Sequence, residues 1–322
     1  MDQVWSHYKE ALDEVEEQIK KGLDSEVALI NKVAHHILSS GGKRIRPLLL
    51  IISSQLCSSI DKRHIMLAGM VEFIHTATLL HDDVLDNAEV RRGIPAARVL
   101  WGNQASILVG DYLYTLAVCQ AVKMENFEIN YLLSTTCRRM SEGETLQLVH
   151  SCDLKLTEAT YVQIIEYKTA ALLSASCKLG GIIGNESDEK KEALSRYGRN
   201  LGIAFQVADD TLDYVADRAR LGKAPGKDIK EGKVTLPLLH LLQHCSSKEK
   251  RDLNALIKKG VYRKRDLSYV IGLMEQYGSI AYARQRAQDY ANRAKNDLSI
   301  FNDSIHRQAL FTLADYVVRR DH

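Results

Sequence analysis

Proline is scarce in this sequence of 322 residues, which contains only four, and aromatic residues make up 7% of it. The stretches between the prolines are long, and their apolar residues recur at helical rather than alternating spacing, as at Leu12, Val15, Ile19 and Leu23. Runs rich in β-branched residues and bounded by hairpin turns are absent from the sequence. The pattern therefore predicts an all-α protein built as a single large helical bundle.

Other absences exclude whole classes of protein. The six cysteines have no metal-ligand spacing, so we expect small core residues in a reducing cytosol and no disulfide framework. A net charge of +2 argues against a nucleic-acid partner bound through overall charge. We find neither a targeting segment nor an apolar run near the roughly 18 residues that span a bilayer. We expect a cytoplasmic chain without a membrane span, whose residues 1–322 form one domain because no linker divides them.

The most informative feature is an acidic pattern that occurs twice, as DDVLD at residues 82–86 and DDTLD at residues 209–213. On a helix the first and last aspartates of each copy lie one turn apart on the same face. Apolar residues precede both copies, and clustered like charges there are costly unless a cation lies between them. Ligands that are all carboxylate oxygens suit Mg²⁺ better than Zn²⁺. The pair predicts a magnesium site for a diphosphate.

A single copy of this motif would be weak evidence, because acidic residues four apart occur on many solvated helix faces. A solvated face would carry polar residues around the whole turn. Here Leu79 and Leu80 flank the first copy, and Phe205 and Val207 flank the second. Two copies in apolar surroundings favour the metal site.

Basic residues lie where phosphate could be bound. A glycine-opened turn, GGKRIRP at residues 41–47, carries Lys43 and Arg46 into a helix start, which suits an anion. Arg91 and Arg92 follow the first acidic motif and can serve different phosphates through their forked donors. The alternative for the turn is a charged loop tip on the surface.

Two further basic segments are open to two interpretations. Lys168 lies with Thr169 inside a helical stretch among apolar neighbours, where a lysine can also extend to the surface. Residues 221–233 form a loop rich in glycine and lysine, including Lys223 and Lys233, that follows the second acidic motif. Such a loop can close over a site as a lid, although solvated loops look similar.

Six segments in this order resemble the motif set of the trans-isoprenyl diphosphate synthases: GGKRIRP (41–47), LLHDDVLDNAEVRRG (79–93), GETLQL (143–148), YKTA (167–170), FQVADDTLDY (205–214) and LGKAPGKDIKEGKVTLP (221–237). The resemblance runs from about residue 20 to the C-terminus and is closest to the longer-chain, octaprenyl type. It implies an isoprenoid synthase fold with helices around a deep central cavity. It also implies a homodimer and three Mg²⁺ ions per active site with substrate bound.

The resemblance also implies roles for individual residues. The metal ligands would be Asp82, Asp86 and Asp209, and the carboxylates supporting the water shell would be Asp83, Asp210 and Asp213. Isopentenyl diphosphate would be held by Lys43, Arg46, His75 and Arg92. The allylic diphosphate would be held by Arg91, Lys168, Lys223 and Lys233, with Thr169 and Gln206 beside the reacting carbons. The C-terminal Arg319-Arg320 pair resembles a basic tail only loosely.

Product length depends, in the family, on residues four and five positions before the first motif, where bulky side chains stop elongation early. Here those residues are Thr78 and Ala77, both small, so we expect a long-chain polyprenyl diphosphate for a quinone side chain. The alternatives are a short-chain farnesyl or geranylgeranyl diphosphate synthase, or a non-catalytic subunit of a heteromeric synthase. A class I terpene cyclase usually has a different second motif, and an HD-type phosphohydrolase would need further histidines.

Overall fold

A computed structural model describes residues 1–59, 61–215, 226–260 and 262–319. These residues are mostly helical, and the all-α prediction is confirmed. In chain order the α-helices are α1 (Asp2–His7), α2 (Lys9–Gly22), α3 (Ala28–Ser39), α4 (Ile45–Leu56), α5 (Arg63–Leu85), α6 (Ala97–Val122), α7 (Phe127–Val149), α8 (Glu158–Ile165), α9 (Ala171–Ile183), α10 (Asp188–Val215), α11 (Lys227–Lys230), α12 (Leu236–His244), α13 (Ser247–Lys259), α14 (Lys264–Gln276), α15 (Ser279–Asp297) and α16 (Ile305–Val318). A π-helical turn (Glu166–Ala170), a 3₁₀ turn (Leu298–Ile300) and a hairpin of β1 (Val90–Arg91) and β2 (Ile94–Pro95) complete the elements.

The chain divides into two compact units. The first comprises Met1–Cys137, Leu172–Ser195 and Ile300–Leu310, and the second comprises Arg138–Ala171, Arg196–Ser299 and Phe311–His322. The first aspartate motif belongs to the first unit and the second motif to the second unit. Two pockets of the second unit, of about 590 and 740 Å³, are lined by none of the predicted site residues. A single domain around a deep central cavity stays a prediction.

Helix α5 is the buried centre of the first unit. Its sequence is apolar around almost the whole circumference, and Met70, Val71 and Phe73 are at most 1% exposed. A helix of this kind must be covered on all sides, and α2, α4 and α6 pack against it. The helix ends at Leu85, so the aspartates of the first motif lie at its C-terminal end.

The hairpin after α5 was not anticipated from the sequence. Val90 pairs with Pro95, and Arg91 pairs with Ile94. The two turn residues, Arg92 and Gly93, both have positive φ angles, of 52° and 81°, as a type I′ turn requires. The usual sequence signal for this turn is Asn-Gly, and Arg-Gly does not supply it. The turn fixes the direction of the Arg91-Arg92 pair.

Helix α6 contradicts the expectation that no apolar run approaches the length of a membrane span. It is the one helix among the described residues that is long and apolar enough to cross a bilayer, and 39% of its apolar window is buried. Buried helices of globular proteins pass the same test of length and composition. Gly102, with φ 84° and ψ 165°, also interrupts the helical backbone.

The cysteines only partly match their expected burial. All six are free thiols, so the absence of a disulfide framework agrees with the sequence. Cys57, Cys137 and Cys177 are buried, as core residues should be. Cys119 and Cys152 are exposed, and for these two the expectation was wrong.

Candidate active site

The first aspartate motif begins in the last turn of α5. Asp82 and Asp86 are both half-buried, and the backbone N–H of Asp86 donates to the carbonyl of Asp82 at 2.8 Å. The partial negative charge at a helix C-terminus adds to that of the carboxylates, so a cation is favoured here. Asp83 lies between them with a side chain only 1% exposed. Its Oδ1 accepts from Arg91 Nε at 2.8 Å and also from Nη2, while its buried Oδ2 has no hydrogen-bond partner within the described ranges.

The basic turn of the first unit depends on its two glycines. Gly41 and Gly42 have φ angles of 82° and 145°, which residues other than glycine rarely adopt. A Cβ atom at Gly42 would lie 3.0 Å from Cζ of Arg92, so glycine lets that guanidinium approach. Arg92 then donates to the carbonyl of Gly41. The turn and the hairpin are thereby joined, and Lys43 is exposed beside them.

Arg44 has a structural role within the same turn. It donates to Glu72 at 2.6 Å, to Glu16, and to the carbonyl of Leu38 at 2.9 Å. The side chains of Arg44 and Glu72 are only 10% and 3% exposed. Breaking such a buried pair leaves an uncompensated charge, so Arg44 holds the turn on α2 and α5.

Arg46 and Arg92 have no comparable ionic partner in the part of the chain that the structure describes. The buried Nε of Arg46 has no hydrogen-bond partner. Burial lowers the pKa of Arg46 to about 10, against the opposing effect of Glu72. Burial also lowers the pKa of Arg92. Both guanidiniums remain charged at neutral pH, and an anion beside them would stabilise that charge.

His75 lies on α5 near these arginines. Burial lowers its pKa well below the usual value, and Arg46, Arg92, Arg44 and Arg91 lower it further. His75 is therefore neutral at physiological pH and can offer one ring donor and one ring acceptor. One turn further along α5, the hydroxyl of Thr78 donates to the carbonyl of His75 at 2.8 Å, while Ala77 is 1% exposed.

In the second unit the middle aspartate of the second motif has two neutral donors. Asp210 is buried and accepts from the Tyr161 hydroxyl at 2.6 Å and from Gln206 Nε2 at 2.7 Å. Burial raises the pKa of Asp210, and Asp209 raises it further, although both hydrogen bonds oppose the shift. Since both carboxylate oxygens already accept, Asp210 is poorly placed to bind a cation directly. Asp209 is exposed.

Asp213 stabilises the segment that follows the second motif. Its Oδ2 accepts from the backbone N–H of Asp228 at 2.9 Å, at the start of α11. The backbone N–H of Lys233 donates to the carbonyl of Asp228 at 2.8 Å, and Lys233 Nζ lies 2.7 Å from Glu231. Lys223 and the first part of the expected lid lie outside the described residues.

Lys168 and Thr169 lie on the π turn rather than in the regular helix that the sequence predicts. Lys168 forms an ion pair with Glu144 of α7. The hydroxyl of Thr169 donates to Gln206 Oε1 at 2.8 Å. Thr169, Gln206, Asp210 and Tyr161 thus form one continuous hydrogen-bonded chain in the second unit.

The ligand atoms that the aspartate motifs offer fit Mg²⁺. They are all oxygen, and Asp82 and Asp86 stand one helical turn apart. Within the described residues no three acidic, histidine or cysteine side chains converge on one point. Mg²⁺ commonly takes one or two carboxylates and completes its shell with water and substrate phosphates. The residues therefore suit an ion that binds together with a diphosphate.

Comparison with known proteins decides the family. A family model described as polyprenyl synthetase matches residues 27–274, which include the basic turn and both aspartate motifs. The chain belongs to the polyprenyl synthetase family. Members of this family are prenyltransferases, and this chain is an enzyme of that kind.

Individual relatives of this polyprenyl synthetase cover nearly the whole chain. It is 40% identical over 303 residues to octaprenyl diphosphate synthase of Escherichia coli K12, covering 94% of each chain. It is 36% identical over 319 residues to a short chain isoprenyl diphosphate synthase of Methanothermobacter thermautotrophicus, covering 98% of this chain and 97% of the relative. A crystal structure of polyprenyl synthase from Caulobacter crescentus CB15, complexed with calcium and isoprenyl diphosphate, superposes with a TM-score of 0.95 at 38% identity. It covers 100% of this chain and 98% of that one.

Sequence reasoning missed several residues that hold the site together. Glu144 lies inside the segment 143–148 and Glu72 lies outside all six segments, but a lone glutamate gives no sign of its partner. Tyr161 lies 49 positions before Asp210, so no local pattern connects the two. The signal that could have found Glu72 is its place as a charged residue within an otherwise apolar helix, because a buried charge requires a partner.

Proposed function

We propose that this polyprenyl synthetase condenses isopentenyl diphosphate head-to-tail onto an allylic diphosphate. The reaction depends on Mg²⁺, with three ions per active site when substrate is bound. The product is a long-chain all-trans polyprenyl diphosphate of the octaprenyl type, which serves a quinone side chain. The enzyme acts in the cytoplasm as a homodimer.

The observation that carries this proposal is that Arg46 and Arg92 of the first unit have no carboxylate partner among the described residues. Arg44 and Arg91 each have a carboxylate partner, whereas the buried Nε of Arg46 has no hydrogen-bond partner in the part of the chain that the structure describes. Among the described residues, Arg92 donates to the Gly41 carbonyl and, at 3.4 Å, to the Ser40 hydroxyl, and to no carboxylate. A diphosphate would supply both the missing acceptors and the missing negative charge. Together with Lys43 and neutral His75, these residues are suited to isopentenyl diphosphate.

The mechanism follows from the charges that develop. The allylic C–O bond breaks, and its electron pair leaves with the diphosphate. The π electrons of isopentenyl diphosphate then form the new C–C bond, and a proton passes from the adduct to the departing diphosphate. Arg91, Lys168, Lys223 and Lys233 stabilise the leaving group, while Thr169 and Gln206 lie beside the reacting carbons. Asp82, Asp86 and Asp209 would hold Mg²⁺, which when bound stabilises the negative charge of the diphosphate.

Product length is set by α5 in this proposal. Ala77 and Thr78 stand about one turn before Asp82, and each turn rises about 5.4 Å, close to one extended isoprene unit. Small side chains at this depth leave room for the growing tail. Sequence identity alone does not decide the length, because octaprenyl and short-chain relatives differ by only four percentage points, 40% against 36%. The proposed product length therefore rests on the side chains of α5.

One assay separates this function from its alternatives. Labelled isopentenyl diphosphate is incubated with farnesyl diphosphate and Mg²⁺, and the products are separated by chain length. We expect products well beyond geranylgeranyl diphosphate. A terpene cyclase or phosphohydrolase would form no elongated diphosphate, and a non-catalytic subunit would show no turnover. Products that stop at farnesyl or geranylgeranyl diphosphate would favour the short-chain alternative.

The substitution Ala77→Tyr tests the assignment of length to α5. The ring should fill the space below Asp82 and shift the products to short chains, while condensation continues. Ala77 is 1% exposed, so the larger side chain also strains the packing by about 1–3 kcal/mol. Thermal unfolding must therefore be measured beside it, and Ala77→Ser serves as the size-matched control. An unchanged product distribution in a folded Ala77→Tyr enzyme would contradict the assignment.

The proposed homodimer is supported by apolar residues on the first unit. Leu108 and Val122 of α6 are 66% and 60% exposed, and Phe127 and Tyr131 of α7 are 83% and 62% exposed. Apolar side chains clustered at the surface commonly mark a protein interface. Sedimentation equilibrium should give twice the chain mass, and Leu108→Asp should shift the protein towards monomer. A wild-type monomer at micromolar concentration would contradict this part of the proposal.

A further inference from the structure

The π turn at Glu166–Ala170 is contacted by two glycines from two different helices of the second unit. A Cβ atom at Gly143 of α7 would lie 2.4 Å from the backbone nitrogen of Lys168. At Gly202 of α10, a Cβ atom would lie 2.5 Å from Cα of Ala170. Both distances are far below normal van der Waals contact, and both neighbours are backbone atoms. Neither glycine can take a side chain unless the turn and the helix that carries the glycine move apart.

The turn needs this space because its backbone is wider than an α-helix. The N–H of Ala171 donates to the carbonyl of Glu166, which is the i→i+5 bond of a π helix. The extra residue enlarges the ring and pushes the backbone outwards. At residues 167–170 the widened backbone meets α7 and α10, where glycine leaves room for it.

Each glycine is coupled to a side-chain contact of the same turn. Gly143 directly precedes Glu144, the ion-pair partner of Lys168. Gly202 lies one helical turn before Gln206, the acceptor for the Thr169 hydroxyl. The backbone approach and the side-chain partner thus come from one helix in both cases. Together these contacts fix the position and the rotation of the turn.

We propose that Gly143 and Gly202 are positioning residues, which hold the π turn so that Lys168 and Thr169 meet the allylic substrate in reactive geometry. The kinetic consequence rests on the function proposed above. A methyl group at either glycine must shift the turn relative to the helix that carries the glycine, because the nearest atoms are backbone and not the ends of flexible side chains. A displacement of about 1 Å in a catalytic group costs about a hundredfold in rate.

The chain offers two control glycines. Gly180 of α9 approaches another helix as closely, since a Cβ atom there would lie 2.5 Å from Ser53 Cβ and 2.6 Å from the Ser54 nitrogen, but it belongs to the first unit. Gly180→Ala therefore reproduces the packing strain without touching the π turn. Gly272 of α14 has nothing within 4 Å of an added Cβ atom, so Gly272→Ala controls for the change of residue alone.

Steady-state kinetics and thermal unfolding of the four alanine variants test the proposal. Gly143→Ala and Gly202→Ala should lower kcat by about 30- to 100-fold while KM for isopentenyl diphosphate stays within about twofold. Gly180→Ala should lose at least as much thermal stability but keep its kcat, and Gly272→Ala should resemble wild type. Normal kcat in either test variant overturns the proposal. So does a loss of kcat that follows the loss of thermal stability across Gly143, Gly180 and Gly202.

A second measurement does not depend on activity. Hydrogen–deuterium exchange at residues 167–171 should accelerate in Gly143→Ala and Gly202→Ala, but not in Gly180→Ala. If wild type shows no prenyl transfer while this exchange pattern appears, the proposed function fails and the positioning of the turn stands. If one test variant does not fold, the other carries the test. Failure of both to fold beside a folded Gly180→Ala would assign the glycines to folding alone and overturn the proposal.

Discussion

The two aspartate motifs have the same spacing, yet their middle carboxylates are stabilised in different ways. Asp83 of the first unit has a charged partner, Arg91, whose Nε donates at 2.8 Å. Asp210 of the second unit has neutral partners, the Tyr161 hydroxyl at 2.6 Å and Gln206 Nε2 at 2.7 Å. Both side chains are almost fully removed from water. Identical motifs therefore do not imply identical electrostatics.

The difference shows what each carboxylate does for its neighbours. Asp83 holds the guanidinium of Arg91, so its negative charge positions a cation of the chain itself. Asp210 ends a hydrogen-bonded chain that begins at Thr169, so it positions neutral side chains, and burial raises its pKa. Removing the charge of Asp83 and removing that of Asp210 should thus have opposite effects on stability, whereas the proposed metal ligands Asp82, Asp86 and Asp209 should affect catalysis.

The largest effect is expected at the three proposed metal ligands. Asp82→Ala, Asp86→Ala and Asp209→Ala should each lower kcat by roughly a thousandfold, because metal-ion stabilisation of charge contributes several kcal/mol. Asp83→Asn and Asp210→Asn should lose less. The measurement is kcat at saturating Mg²⁺ and substrates, with thermal unfolding as the control for folding. Normal turnover in enzyme freed of divalent metal by EDTA would show that the carboxylates do not act through a metal.

The next largest effect is the loss of stability expected when a partner of a buried charged group is removed. Glu72→Ala should lower the free energy of unfolding by about 3–5 kcal/mol, since it removes the buried carboxylate that pairs with Arg44. Tyr161→Phe removes one neutral donor and should cost about 1–3 kcal/mol. Asp13→Ala, in an exposed pair with Lys9, should cost less than about 1 kcal/mol. Urea denaturation of the three variants checks this order, and equal losses for Glu72→Ala and Asp13→Ala would refute it.

A pair of isosteric substitutions sharpens the comparison of the middle aspartates. In metal-free protein, Asp83→Asn should lower the free energy of unfolding by about 1–2 kcal/mol, because Arg91 loses its ionic partner. Asp210→Asn should raise it at pH 8, since the variant no longer buries a carboxylate and can still bond Gln206 and Tyr161.

The pH dependence of Asp210→Asn follows from the raised pKa of Asp210. Folded wild type retains a proton that the unfolded chain releases above about pH 3.9, so wild-type stability falls as pH rises through the raised value. The gain in Asp210→Asn should therefore be present at pH 8 and disappear near pH 4. A gain of equal size at both pH values would mean that burial of the charge is not its cause.

The smallest effect concerns His75. Its pKa in the folded protein is lowered well below 6.5, chiefly by burial and then by the surrounding arginines. In the unfolded chain the imidazole of His75 binds a proton below about pH 6.5, whereas in the folded chain it stays neutral. Stability therefore falls as pH decreases through that value. Between pH 7.5 and 5.5, wild type should lose about 1 kcal/mol more than His75→Asn. A dependence of stability on pH in His75→Asn equal to that of wild type would show that His75 does not cause this loss.

Local sequence predicted the parts of the site that local chemistry fixes. The spacing of Asp82 and Asp86 and the apolar circumference of α5 were sufficient to place two carboxylates at one end of a buried helix. The glycines of the basic turn likewise predicted a turn before α4. The roles carried by the resemblance to the family, including those of Lys223 and Lys233, stay predictions.

The sequence did not reveal contacts whose partners are distant in the chain. Arg44 stands in the same motif as Lys43 and Arg46, but its role depends on Glu72, 28 residues away. The π turn could not be anticipated either, because it depends on the absence of side chains at Gly143 and Gly202 on other helices. The hairpin turn at Arg92-Gly93 lacks its usual sequence signal. Tertiary contact decides all three.

Steady-state kinetics of Arg92→Ala and Lys168→Ala test whether these two cations serve different diphosphates. Arg92→Ala should mainly raise KM for isopentenyl diphosphate, because Arg92 binds that substrate before and during reaction alike. Lys168→Ala should mainly lower kcat, since Lys168 meets charge that develops only in the transition state. Lys43→Ala and Lys233→Ala should repeat the two patterns. A fall in kcat for Arg92→Ala with a raised KM for isopentenyl diphosphate in Lys168→Ala would contradict the account.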